Sequence, residues 1–134
     1  MKLLQGIYQI ATPHIVIEKH GGATLKNEIY WHLCLFKDGQ IGMFGSGKGW
    51  YHPYFKKEIL DLKGQIILQE NKKVKGEIFN SFINENIIIE GIVLKDRLRL
   101  KAYNESTPNE IWLEDEFEYL DLDYEKLEKE FNAK

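Results

Sequence analysis

Residues 97–103 and 111–120 constrain this chain more than any other stretch, because as antiparallel strands they fit together in a single register. Paired, they set Arg97 opposite Glu118, Arg99 opposite Glu116, Lys101 opposite Glu114 and Tyr103 opposite Trp112. Leu98 then meets Phe117 and Ala102 meets Leu113 on the other face. Directly opposed side chains on a sheet contribute ~0.2–1 kcal/mol per pair. A one-residue slip would break every match and turn the apolar row outward. The hairpin fixes a fold class and an inward side, and it names no reaction.

Alternating or β-rich runs recur through most of the chain at the spacing of a meander rather than of βαβ units. They cover residues 4–10, 14–19, 28–36, 40–45, 65–70, 74–82 and 86–94, followed by the hairpin above. Gly21 and Gly22 mark a loop. Asp38-Gly39 is the pair that best tolerates positive φ in a two-residue connection. Between residues 53 and 62, Pro53 suits a first helical position, Phe55, Ile59 and Leu62 share a face, and Gly64 can end the segment. A second helix is expected over about residues 122–131. Tyr124, Leu127 and Phe131 form its stripe, and Asp121 or Asp123 can cap it. The expected fold is mainly β: an antiparallel meander of about 8–10 strands forming a closed or partly open barrel. One short helix precedes the central strands and one follows the last, within a single domain spanning 1–134.

Two further turns extend the register. A two-residue turn at Asn84-Glu85 sets Phe82 opposite Ile87, Asn80 opposite Ile89 and Ile78 opposite Gly91. A turn at Lys95-Asp96 sets Val93 opposite Leu98 and Gly91 opposite Leu100. The inward row so built contains Asp115 beside Leu100, and Asn80, where a plain core would have neither. A buried polar group without partners costs a few kcal/mol, and a charge more. Gly76 and Gly91 on the same face withhold side-chain volume, so polar groups and missing volume together predict a cavity. The bland alternative is a pair of hydrogen-bonded polar residues, or strand ends that reach solvent. Phe79, Ile88, Ile92, Tyr103 and Trp112 point to the other face, and the C-terminal helix is the expected lid over them.

Charge and motifs exclude more than they assign. The net charge of −3 argues against a nucleic-acid partner, whose phosphates call for a basic surface. The charge is uneven, with +4 over residues 1–109 and −7 over residues 110–134. That is either a solvated acidic face or a contact surface for a basic partner. The single cysteine, Cys34, cannot form an internal disulfide. With no secretory signal at the start of the chain, this fits a cytoplasmic protein. No apolar run approaches the ~18 residues of a membrane span.

The segment 42–49, G-M-F-G-S-G-K-G, comes within one residue of a phosphate-binding loop. Gly49 replaces the magnesium-holding hydroxyl, and no helix starts at once, so it reads as a loop. Phe44 occupies the place where a nucleophile elbow around Ser46 needs Gly. His32 and Cys34, with His52, make a poor zinc set and read as a half-buried His and a core Cys. Glu114, Glu116 and Glu118 have cross-strand cations, which leaves only Asp115 as a carboxylate of perturbable pKa. No catalytic set, metal site or cofactor signature emerges, and a non-enzymatic role is expected.

Gly6-Ile7-Tyr8 opening the first strand, the meander over residues 74–120 and the helix after it resemble the lipocalin-like (calycin) barrels. Lipocalins open with Gly-x-Trp, where this chain has Tyr8, and their disulfides are absent here. The resemblance implies a barrel that encloses one small apolar molecule. The residues suggest a carrier or sensor, with Asp115 and Asn80 orienting the ligand's polar end. Phe82, Ile78, Phe117 and Tyr119 would line its pocket. The alternative is a protein-binding module, such as an inhibitor or immunity-type protein, that uses the acidic C-terminal surface as a monomer or homodimer.

Overall fold

The computed structural model describes residues 5–36, 38–46, 62–95, 97–126 and 129. Nine strands are built from them: β1 (Gly6–Ile10), β2 (His14–His20), β3 (Ala23–Leu35), β4 (Gln40–Ser46), β5 (Leu62–Glu70), β6 (Lys73–Asn80), β7 (Glu85–Val93), β8 (Arg97–Asn104) and β9 (Ile111–Tyr119). All pairings are antiparallel. The strand order is β1-β9-β8-β7-β6-β5-β4-β3-β2, and β1 also pairs with β3. That last pairing closes eight strands into a barrel, with β2 as a ninth strand outside the closed wall.

Closure depends on the five residues of β1. One edge pairs with β3 from Gly6↔Leu35 to Gln9↔His32, and the other pairs with β9 from Tyr8↔Tyr119 to Ile10↔Phe117. The seam with β9 carries two added backbone bonds, Leu120 N–H to Ile7 O at 2.9 Å and Ala11 N–H to Glu116 O at 2.8 Å. A closed barrel leaves no long unpaired edge in its wall.

The opening hairpin holds its register from Arg97↔Glu118 through Leu100↔Asp115 to Ala102↔Leu113. Beyond Ala102 a β-bulge intervenes, and Tyr103 faces Ile111 rather than Trp112. The turn after β7 gives the expected Val93↔Leu98 and Gly91↔Leu100. The β6–β7 turn differs from expectation. It spans residues 81–84, with Asn80↔Glu85, Ile78↔Ile87 and Gly76↔Ile89. Two local features account for this: Asn80 Oδ1 accepts the Phe82 N–H at 3.1 Å, and Asn84 takes φ +52°. Both are turn chemistry open to Asn. Each partner shifts by four residues, an even number, so the inward face is kept while Phe82 leaves the strand.

β3 begins at Ala23, five residues before the expected start. Its first half pairs only with β2, from His14↔Ile29 to His20↔Ala23, through a turn with Gly21 at φ +54° and Gly22 at +88°. The two strands form an arm that continues beyond the barrel wall, leaving Ile15, Ile17 and Leu25 exposed. β5 starts at Leu62, so Leu62 belongs to a strand rather than to the end of the helix expected before it. The rest of that helix, residues 53–61, lies outside the described residues, as does 47–49 of the glycine-rich segment; residues 42–46 of that segment are in β4.

The barrel interior is filled. Ile10, Leu33, Ile41, Met43, Ile78, Ile89, Leu98, Leu100, Leu113 and Phe117 are all within 1% of complete burial. The volume that Gly76 and Gly91 withhold is taken by their neighbours. A Cβ on Gly76 would lie 2.7 Å from Ile41 Cδ1 and 2.9 Å from Ile89 Cγ1, and one on Gly91 would lie 2.9 Å from Leu98 Cδ1. Branched side chains from other strands therefore take the space directly beside these two glycines on the inward face.

A second, smaller core lies outside the wall, where Ile7, Cys34 and Phe44 are covered by Phe36, Leu120, Leu122 and Tyr124. Tyr124 lies at the start of a short helical segment at 124–126, which Asp123 caps through Oδ1 to the Lys126 N–H at 3.1 Å. Its hydroxyl accepts the Ile7 N–H at 2.9 Å and donates to Leu120 O. The chain after β9 therefore packs against β1, β3 and β4. This corrects the expected lid over Phe79, Ile88, Ile92, Tyr103 and Trp112. Ile88 is buried, Tyr103 is half-buried, and Phe79, Ile92 and Trp112 are exposed. Leu127 and Phe131 lie outside the described residues. Among the described residues no helix is long and apolar enough to cross a membrane.

Candidate functional site at the barrel mouth

One end of the barrel opens into a space of about 390 Å³ lined by Trp31, Leu62, Asn80, Ile83, Ile87, Asn104, Thr107, Glu110 and Trp112. It is at the lower end of the range typical of small-molecule pockets. Each side chain arrives there for a local reason. Trp31 follows Leu33 and Leu35 in the inward alternation of β3, at the level where β4 gives out. Ile87 pairs with Ile78 and forms part of the floor.

Trp112 is brought to the mouth by the bulge. In a regular ladder it would face outward beside Tyr103, whereas an extra residue in one strand re-aims the side chains around it. The two indoles meet with ring centroids 5.9 Å apart and planes at 59°. The Trp31 Nε1–H donates to His14 Nδ1 at 3.1 Å, tying the mouth to the base of the β2–β3 arm.

The rim is held by hydrogen bonds between its two loops. Thr107 N–H donates to Asn104 O and Glu110 N–H to Thr107 O, each at 3.0 Å, forming two successive turns. The Glu85 carboxylate accepts the Ser106 N–H at 2.6 Å, and Asn86 Nδ2 donates to Glu105 at 3.4 Å. The bond from Ser106 holds the Glu85 carboxyl below the usual carboxylate range.

Of the residues expected to form the site, Ile78 and Phe117 share the main core with Tyr119 packed against it, while Asn80, Phe82 and Asp115 lie elsewhere. Asn80 lines the mouth, and Ile78 lies fully buried beneath it. Phe82 is 77% exposed in the 81–84 turn instead of lining an interior, because the longer turn removes it from the inward row. Phe117 is fully buried in the filled core. Tyr119 packs edge-on against Tyr8 at 5.1 Å, and its hydroxyl donates to Gln5 O at 2.8 Å. Asp115 is half-buried, and its Oδ1 accepts the Glu116 N–H at 2.7 Å. β1 ends at Ile10 opposite Phe117, so Asp115 lies two residues beyond the closing strand.

The acidic face of β9 is largely neutralised. Glu116 accepts from Arg97 at 3.1 Å and Arg99 at 3.3 Å, and Arg97 also reaches Glu118 at 3.5 Å. These guanidinium bonds lower the Glu116 pKa. Lys101 turns to Glu90 on β7 at 3.3 Å rather than to the expected Glu114. The His32 and Cys34 pair belongs to the outer core. His32 stacks on Phe44 at 4.5 Å, its Nε2 is 3.1 Å from Gln9 Oε1, and burial lowers its pKa to about 4. Burial pushes the Cys34 thiol up, away from the reactive thiolate. His52 lies outside the described residues, and among those described no group of three or more His, Cys, Asp or Glu is placed to hold a metal ion.

Fold and site together define a closed eight-stranded antiparallel β-barrel with a filled interior, a lateral arm and an aromatic mouth. Comparison with known proteins finds no matching family model, no matching curated protein and no matching solved structure.

Proposed function

We propose that this protein is a non-enzymatic, lipocalin-like binding protein that carries or senses a small, mostly apolar molecule held at the mouth of its barrel. The supporting observation is the pairing of Trp31 and Trp112 above the apolar floor of Leu62 and Ile87, with Asn80, Asn104 and Thr107 set around it. A few polar groups converging on an apolar recess suit orientation of a ligand rather than its turnover. The site sits higher in the barrel than the inward row of the sequence suggests, and Asn80 is the residue common to both. Its amide would meet the ligand's polar end.

Native mass spectrometry of the purified protein, with the same sample denatured, tests this. The expected result is a small-molecule mass that is present in the native spectrum, lost on denaturation and lost in Trp112→Ala. An adduct that survives Trp112→Ala would move the site elsewhere. A bare native mass, with tryptophan emission that no small amphipathic molecule perturbs, would remove the binding reading.

A further inference from the structure

The geometry points to the charge of the ligand: we propose that the barrel mouth takes an organic cation, a substituted or quaternary ammonium group seated against Trp31 and Trp112 and facing Glu110. This rests on the binding reading above and specifies its ligand class.

Three independent features lead to it. The first is the aromatic wall. Two indoles line one recess, and the face of a Trp ring attracts a cation through its quadrupole, worth roughly 2–5-fold in affinity per ring at an exposed site. The second is the charge of the lining. Among the described residues lining the space, Glu110 is the one charged side chain, and none is Lys or Arg.

The two described loops beside it have the same sign. Residues 80–86 and 104–112 carry Glu85, Glu105 and Glu110 and no basic residue. Glu85 and Glu105 are held in place by Ser106 and Asn86, which fixes their field at the mouth, while Glu110 faces the recess. A carboxylate or phosphate ligand would meet this field with no cation among the described lining residues to pair with. The third feature is the direction of the Trp31 donor. Its N–H is committed to His14 Nδ1, so the ring meets a ligand through its π system rather than as a hydrogen-bond donor.

The test uses three probes of nearly one shape that differ in charge: choline, 3,3-dimethylbutan-1-ol and 3,3-dimethylbutanoate. Each is titrated into the full-length protein at low ionic strength while tryptophan emission is followed. The expected order is choline at least tenfold tighter than the neutral alcohol, with the carboxylate weakest. Glu110→Gln should cut the choline affinity several-fold and leave the alcohol unchanged. Because Glu110 is exposed, this variant keeps the fold.

Equal binding of choline and the alcohol overturns the cation inference while leaving a small-molecule site at the mouth. Preference for the carboxylate overturns it in the same way. If none of the three perturbs the emission, the cation inference falls. The binding reading then falls with it only where the native mass spectrum is also bare.

Discussion

Trp31 on β3 and Trp112 on β9 are 81 positions apart in sequence, yet their rings lie 5.9 Å apart across the barrel mouth. The contact exists because β1, which separates these two strands lower in the wall, ends at Ile10. Above that level the gap is spanned by aromatic side chains instead of backbone.

Removing one of the two rings should therefore affect binding far more than folding. Trp112 is 37% exposed, so Trp112→Ala is expected to cost about 1 kcal/mol or less of stability beyond the loss of its ring contact. Urea unfolding checks the stability, and fluorescence titration of the two remaining tryptophans, Trp31 and Trp50, checks the site.

A filled interior makes a sharp demand on the inward glycines. Gly76→Ala places a methyl within 3 Å of Ile41 and Ile89, and overpacking of this kind costs about 1–3 kcal/mol. The urea midpoint should fall. An unchanged or raised midpoint would mean that the barrel holds spare volume at this level.

The seam at β1 depends on one hydroxyl. Tyr124→Phe keeps the ring against Gly6 but removes the partner of the Ile7 N–H and the bond to Leu120 O. Leaving a buried donor unpaired costs about 1–3 kcal/mol. Faster amide exchange at Ile7 and Leu120 in the variant is the specific sign.

His32 gives the protein an acid sensitivity of defined sign. Its pKa falls from 6.5 unfolded to about 4 folded, because burial disfavours the charged ring. Between those values the unfolded chain binds the proton and the folded chain does not. Stability is fully present above pH 6.5 and is lost as the pH falls towards about 4. The total is roughly 3 kcal/mol at 1.4 kcal/mol per unit. Thermal melts across this range should lose that slope in His32→Phe.

Glu116 acts in a lower window. Arg97 and Arg99 hold its pKa below 4.5, so the stability it contributes is present above 4.5 and disappears as the pH falls through the folded value. In Glu116→Gln the melting temperature should drop at pH 7 and converge on wild type once the pH falls below the lowered Glu116 pKa. Added salt should shrink the difference, because the pair is exposed to solvent.

Local chemistry made much of this architecture readable. The charge ladder of Arg97 and Arg99 against Glu118 and Glu116 fixed the β8–β9 register, since opposed pairs act over a few ångströms and leave their pattern in the chain. The same holds for the Asp123 cap. The β6–β7 turn was harder, because Asn84 suits both a two-residue and a four-residue loop. The choice rested on the Asn80 side chain folding back onto the Phe82 N–H. The β2–β3 arm is longer than its local signals indicate, because Gly21-Gly22 signals a loop while the strand after it, at 23–27, carries no regular apolar alternation.

The candidate site was the least legible part. Asn80 stood out as a polar residue in an apolar row, but Trp31 and Trp112 carried no such mark. Trp112 reached the mouth only through a bulge that shifts the ladder by one residue.

By itself, the sequence determined the strand class, the antiparallel order of the last four strands and the side of each that faces inward. These follow from periodicity and from pairs that lie close along the chain. Tertiary structure decided that the barrel closes, that branched side chains fill the space beside Gly76 and Gly91, and that two tryptophans meet at the mouth. Each of these depends on contacts between segments far apart in sequence, where backbone pairing and side-chain volume are settled only once all the strands are in place.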